Sequence, residues 1–151
     1  MGVPASYIAP MTSTIDTIRQ DFAFLDDWED RYRYVIELGA GLDPYPEAVR
    51  DDAHKVPGCA SQVWLAVEHS DEPDPRIDFK GDSDAHIVRG LVAILLALYS
   101  GRRASEILAI DAESVFKELG LDSHLSSQRA NGLRSMVKRI RAEAAQARQQ
   151  A

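Results

Sequence analysis

The stretch Cys59-Ala60-Ser61-Gln62-Val63-Trp64-Leu65-Ala66-Val67-Glu68-His69-Ser70-Asp71-Glu72-Pro73-Asp74-Pro75-Arg76-Ile77-Asp78-Phe79-Lys80 decides the fold class. Gln62, Trp64, Ala66 and Glu68 alternate with Val63, Leu65 and Val67, the period of two that marks a half-buried strand. Asp71-Glu72-Pro73-Asp74-Pro75 is turn chemistry, because its two prolines fix φ and remove ladder donors. Arg76, Asp78 and Lys80 then alternate with Ile77 and Phe79, so a second strand returns antiparallel to the first. Such a hairpin must bury one apolar face against another element. Residues Ala85 to Ser100 supply the cover, a helix apolar nearly all round from Leu91 onward and therefore central. Gly81-Asp82-Ser83-Asp84 precedes it, with Asp84 or Ser83 as N-cap, and Gly101 ends it. Gly90 inside it costs about 1 kcal/mol relative to alanine, a cost that close backbone packing would offset.

Helical patterns flank this unit. Ser13 or Thr14 opens the first, with Ile15, Ile18, Phe22 and Leu25 on one face. Asp26-Asp27 restarts the chain into a second carrying Trp28, Tyr32, Val35, Ile36 and Leu38, and Gly39 reads as the residue just past its end. Residues 40–57 hold Pro44, Pro46 and Pro57 with little periodicity, a long connection of the kind that often carries function. Downstream come a short helix at Ala104–Ala109 and one capped by Asp111, carrying Val115, Phe116 and Leu119 and ended by Gly120. A last helix opens at Ser126 or Ser127, with the stripe Leu133, Met136, Val137 and Ile140. The tail from Ala142 is rich in Ala, Gln and Arg and is expected to fray. The fold class is α+β in a single domain. Residues 1–12 form a flexible N-terminal extension, 13–146 the folded unit and 147–151 a frayed C-terminal tail.

The composition agrees. A chain of 151 residues, 45% hydrophobic and 27% charged, is long enough for one core and too apolar to stay disordered. A formal charge of −7 argues against nucleic acid as partner, since neutralising phosphates takes a basic face. Met1–Ser13 shows neither a basic cluster nor a long apolar run, so no secretory signal is read there. Leu91–Tyr99 is far shorter than the roughly 20 apolar residues a membrane span takes. These features point to a cytoplasmic protein with no membrane partner, whose thiol stays reduced. The charge is uneven, with eleven acidic and four basic residues between Asp16 and Asp52. From Ser127 onward there are six basic residues and only Glu143. Such faces are either simply solvated or steer docking onto a charged protein.

Cys59 is the sole cysteine. Alone it forms no internal disulfide, no multi-cysteine zinc site and no iron–sulfur cluster. Pro57 and Gly58 place it at a loop tip before the first strand, and small Ala60 and Ser61 leave room around it. Its reactivity depends on the thiolate, a minor species at neutral pH for a free thiol. His54 and Lys55 are the nearest cations in sequence. A cysteine hydrolase would need a base from among His54, His69, His86 and His124, and no motif ties any of them to Cys59. Asp82, Asp84 and His86 alternate suggestively, but no calcium-loop spacing follows. No metal and no cofactor are expected.

Four motifs in order resemble the SufE family of sulfur-acceptor proteins. They are Trp28-Glu29-Asp30-Arg31-Tyr32 with Ile36-Glu37-Leu38-Gly39; Gly58-Cys59-Ala60-Ser61-Gln62-Val63-Trp64; Gly81-Asp82-Ser83-Asp84-Ala85 with Ile87-Val88-Arg89-Gly90-Leu91; and His124-Leu125 with Arg129 and Asn131-Gly132-Leu133 to Met136. The likeness covers about Ile15 to Ala145, and Ser127 stands where the family often has proline. The resemblance implies a small antiparallel sheet, three-stranded and of the NifU scaffold type, with helices on one face and the third strand near Ala53–Val56. It implies that Cys59 accepts sulfane sulfur from a pyridoxal-phosphate cysteine desulfurase (SufS-like), stimulates that enzyme and delivers the sulfur to an iron–sulfur scaffold complex (SufBCD-like). Arg129 would dock the partner or contact the cysteine loop, and Gly58, Gln62 and His54 would bind the partner or position that loop. Trp64 fits core packing. An acceptor of the CsdE branch, serving a paralogous desulfurase, and a noncatalytic desulfurase regulator are the alternatives. The oligomeric state is a monomer or a homodimer.

Overall fold

The computed structural model describes residues 14–150, so the expected extension at 1–12 lies outside the described residues. The hairpin forms as its alternation dictates. Strand β1 (Val63–His69) pairs antiparallel with β2 (Arg76–Ser83) from Val63 opposite Ser83 to His69 opposite Ile77. The inward set Val63, Leu65, Ile77 and Phe79 is buried. Helix α3 (His86–Tyr99) packs on this face, and eleven of its fourteen residues are buried, which makes it the centre of the molecule. Around it lie α1 (Ile15–Phe24), α2 (Trp28–Ala40), α4 (Ala104–Ala109), α5 (Ala112–Leu119), α6 (Leu121–His124) and α7 (Ser127–Gln150). The architecture is therefore α+β, with helices on one side of a three-stranded sheet.

The third strand is not where the sequence placed it. Strand β3 is Arg102–Arg103, pairing with β2 at the edge away from β1. Near Ala53–Val56 only Lys55 bridges, to Trp64 on the outer edge of β1. A 3-10 turn at Asp52–His54 precedes it and Pro57 follows, so there is backbone for one pairing and no more. β3 exists because Gly101, at φ 83°, turns the chain out of α3 and straight back along β2.

Two glycines fix how α2 meets α3. Gly39 does not end α2; the helix continues to Ala40 and Gly41 caps it. A Cβ on Gly39 would stand 2.6 Å from the Gly90 nitrogen, and one on Gly90 would stand 2.5 Å from Val35 Cγ1. The bare backbones are in contact, and this is the packing that offsets the helix cost of Gly90. Arg31 joins α2 to α1, its guanidinium donating to the Leu25 and Phe22 carbonyls at 2.9 and 3.0 Å. It thereby satisfies part of the carbonyl end of α1. Trp28 stacks on His124 with ring centroids 4.0 Å apart, tying α2 to α6.

Four caps follow the sequence, Ser126 of α7 among them, and one does not. Thr14 caps α1, Asp27 caps α2 and Asp111 caps α5. The residue before α3, however, is Ala85, with no side-chain cap bond, and the Asp84 carboxylate turns away to Gln62. At the other end α7 runs on to Gln150, with Ala144 and Ala147 buried. Residues 147–150 of the expected tail are helical, and small alanines let α7 lie close along α4; residue 151 lies outside the described residues.

Candidate functional site

Cys59 sits in a loop whose base is closed and whose tip rests on α7. At the base, the Val56 amide donates to the Val63 carbonyl at 2.8 Å and Lys55 bridges Trp64. Lys55 Nζ donates to Gln62 Oε1 at 2.9 Å across the neck. Gln62 is held in turn by Asp84, which accepts from its backbone amide at 3.0 Å and from its Nε2 at 3.1 Å. That contact arises because Val63 pairs with Ser83, which leaves the next residues out, Gln62 and Asp84, facing each other. The cap the sequence assigned to Asp84 is thus a brace for the cysteine loop.

At the tip, Gly58 takes φ 86°, a conformation that costs other residues roughly 1–2 kcal/mol. A Cβ there would also stand 2.5 Å from Ser135 Oγ. The positive φ is what calls for glycine, and a methyl there would also force the Ser135 hydroxyl to turn away. Cys59 itself is half-buried. Its Sγ–H donates to the Gly132 carbonyl at 3.6 Å, and Gly132 leaves space that a Cβ would fill at 3.7 Å from the sulfur.

The thiol opens on a pocket of about 290 Å³ lined by Ala60, Ser61, Val88, Leu91, Ser126, Gln128, Arg129, Gly132 and Met136. Its floor is the buried Val88, Leu91 and Met136. Burial pushes the Cys59 thiol above its ordinary pKa, since the charged form loses solvation. At rest the sulfur is therefore protonated and sheltered. Arg129 is the one charged residue on the pocket wall, and among the described residues its side chain makes no hydrogen bond or ion pair. It lies in the first turn of α7, where Ser126 Oγ accepts from its backbone amide at 3.2 Å. Guanidinium and helix N-terminus give this rim a positive field.

The other nominated residues separate. Arg129 lines the thiol's pocket, Gly58 directly precedes Cys59, and Gln62 sits at the neck of the loop between Lys55 and Asp84. His54 stands apart. Its Nδ1 lies 2.7 Å from Asp51 Oδ1, and the side chain borders a different pocket over Ala66, Glu68 and Lys80. None of the four histidines lines the Cys59 pocket, so no Cys–His pair forms there. Asp82 is held between Arg50 at 2.9 Å and Arg89 at 3.0 Å, and Arg50 lies over the Trp64 ring at 4.9 Å. The Arg89 Nε–H is not aimed at Asp82, so that contact is a charge pair rather than a hydrogen bond. Sequence reading passed over Ser135 and Arg139; only their i, i+3 and i+7 spacing from Gly132 on one helical face signals them.

Comparison with known proteins places this geometry. The family model described as "SufE: Fe-S metabolism associated domain" matches residues 16–144. An uncharacterized SufE-like protein of Rhizobium meliloti (strain 1021) is 64% identical over 135 residues, covering 89% of this chain and 96% of that protein. One from Rhizobium etli is 63% identical over 133 residues, covering 87% and 90% respectively. A solution structure of a hypothetical protein from Thermus thermophilus shares the fold, with a TM-score of 0.68 at 19% identity over 88% of this chain and 94% of that one. The match is to a domain associated with iron–sulfur metabolism. The chain belongs to the SufE family.

Proposed function

We propose that the protein accepts sulfane sulfur on Cys59 from a pyridoxal-phosphate cysteine desulfurase, stimulates that enzyme, and passes the sulfur to an iron–sulfur assembly scaffold. The carrying observation is the sheltered thiol on a loop closed at its neck, beside a pocket with an apolar floor and one free guanidinium. In the transfer step the Cys59 thiolate attacks the outer sulfur of the desulfurase persulfide. The sulfur–sulfur bond of the donor breaks, a new one forms on Cys59, and the donor cysteine leaves as a thiolate. No electrons are gained or lost overall, so the step needs one nucleophilic cysteine and no resolving partner. A second cysteine nearby would discharge the persulfide as a disulfide, and the sequence holds none.

The free protein keeps its thiol protonated, which limits both oxidation and idle reaction. Docking must then draw the tip at Gly58-Cys59 out of its pocket, where the thiol regains solvation or meets the donor's own site and ionises. Arg129 at the rim supplies positive charge to that thiolate and to the persulfide that follows. The pocket then receives the returning persulfide, whose charged outer sulfur pairs with Arg129 at the rim. The test is sulfide release by the cognate desulfurase with added wild-type protein or Cys59→Ser. Loss of stimulation with the variant supports the acceptor, and full stimulation by the variant establishes a noncatalytic regulator instead.

A further inference from the structure

The stripe of α7 that receives the cysteine loop does not stop at the thiol. Gly132 meets Cys59, and Ser135 meets Gly58. One turn further, Arg139 spreads its guanidinium over the loop's upstream leg, donating from one terminal nitrogen to the Lys55 carbonyl at 3.3 Å and from the other to the Ala53 carbonyl at 3.2 Å. A turn beyond that, Glu143 accepts from Arg139 Nε at 2.8 Å and fixes its plane. Both side chains of the pair are about three-quarters shielded, at 22% and 26% exposure, so solvent screens the contact less than it does an open surface pair. Positions 132, 135, 139 and 143 fall on one helical face.

The two legs of the loop are held differently. The downstream leg is braced to the start of α3 through Gln62 and Asp84. The upstream leg touches β1 through the single bridge of Lys55 to Trp64, and it rests on α7 through Arg139, which takes the Lys55 and Ala53 carbonyls. We propose that Arg139, oriented by Glu143, is a positioning residue that pins the neck of the cysteine loop to α7 and so sets how often Cys59 leaves its pocket. The guanidinium suits this task because it spans two carbonyls at once, which an ammonium at one point does not. The hinge is then confined to Pro57 through Ser61, and the tip swings while the neck stays. The significance for sulfur transfer rests on the acceptor reading above, but the positional claim does not.

The test uses the rate of Cys59 alkylation by iodoacetamide across pH, in wild type, Arg139→Met, Arg139→Lys and Glu143→Gln. Arg134→Met, which breaks the exposed Arg134–Glu113 pair on the same helix, is the control for general loosening. Arg129 is the one charged group on the pocket wall, and it is present in every variant. Arg139→Met is expected to alkylate roughly ten-fold faster at neutral pH, the population shift that follows loss of a charge-assisted hydrogen bond. Its pH midpoint moves down toward that of an open thiol, Glu143→Gln moves part of the way, and Arg139→Lys recovers part of the wild-type rate. Circular dichroism confirms that each variant is folded. A folded Arg139→Met with wild-type rate and midpoint, or an equal acceleration in Arg134→Met, overturns the proposal. Failure of sulfur transfer with these alkylation shifts intact would count against the acceptor reading alone.

Discussion

Cys59 reacts on terms set by three neighbours. Gly58 gives the loop its left-handed tip, the Gly132 carbonyl accepts from the thiol, and the pocket floor strips solvent from it. Because burial raises its pKa, the folded state favours the protonated thiol. The stability this contributes is full below the ordinary thiol range and fades as pH rises through the raised value. Chemical denaturation at successive pH values above about 8.5 should therefore show wild type losing stability more steeply than Cys59→Ser. Gly58→Ala meets both a forbidden φ and Ser135, so it displaces the tip. Its thiol is expected to alkylate faster than wild type while the unfolding free energy falls by roughly the 1–2 kcal/mol of left-handed strain. An unchanged alkylation rate in Gly58→Ala would show that the tip does not depend on this glycine.

Among the secondary-structure elements, two opposing effects can be weighed at Gly90. Helix propensity alone predicts that Gly90→Ala stabilises by about 1 kcal/mol. Overlap of the new methyl with the backbone of α2 opposes it, at roughly 1–3 kcal/mol for an overpacked core contact. The overlap involves backbone that cannot step aside, so a net loss is expected in urea unfolding. This element pair also shows what was legible in the sequence and what was not. The hairpin and α3 could be read because alternation and an all-apolar helix are strong local patterns. Gly39 was misplaced because a glycine required by a neighbouring helix looks the same in sequence as one that ends its own. Asp84 was misread for a similar reason. Its position before a helix suggested a cap, whereas the ladder register that turns it to Gln62 is a tertiary fact. The third strand is two residues long, too short to leave any periodicity. Within the site, Cys59, Gly58, Gln62 and Arg129 could be nominated from motifs, but Arg139 acts through a loop more than eighty residues away and only the fold reveals it.

Across the whole molecule, the charge asymmetry and three separately hydrogen-bonded carboxylates bear on the response to solution conditions. Asp51, Asp74 and Asp111 are held below the usual carboxylate range, mainly by hydrogen bonds from His54, Ser105 and Ser114 respectively. Their contribution is present above the ordinary carboxylate value and is lost as pH falls through the lowered ones. Acid titration followed by circular dichroism should show the native signal fall in that window, with a shallower fall in Asp74→Asn. No helix among the described residues is long and apolar enough to cross a membrane, and the acidic stretch through α1 and α2 contrasts in sequence with the basic α7. If these faces steer docking, stimulation of the desulfurase should weaken as salt is raised from low to physiological strength. Everything in the proposed chemistry converges on a single atom acquired by a single side chain. Intact-mass and peptide mapping after incubation with cysteine and the cognate desulfurase should find one added sulfur, about 32 Da, on the peptide carrying Cys59, removable by a reducing thiol. An unmodified Cys59 peptide recovered while the desulfurase turns over at its stimulated rate would contradict it.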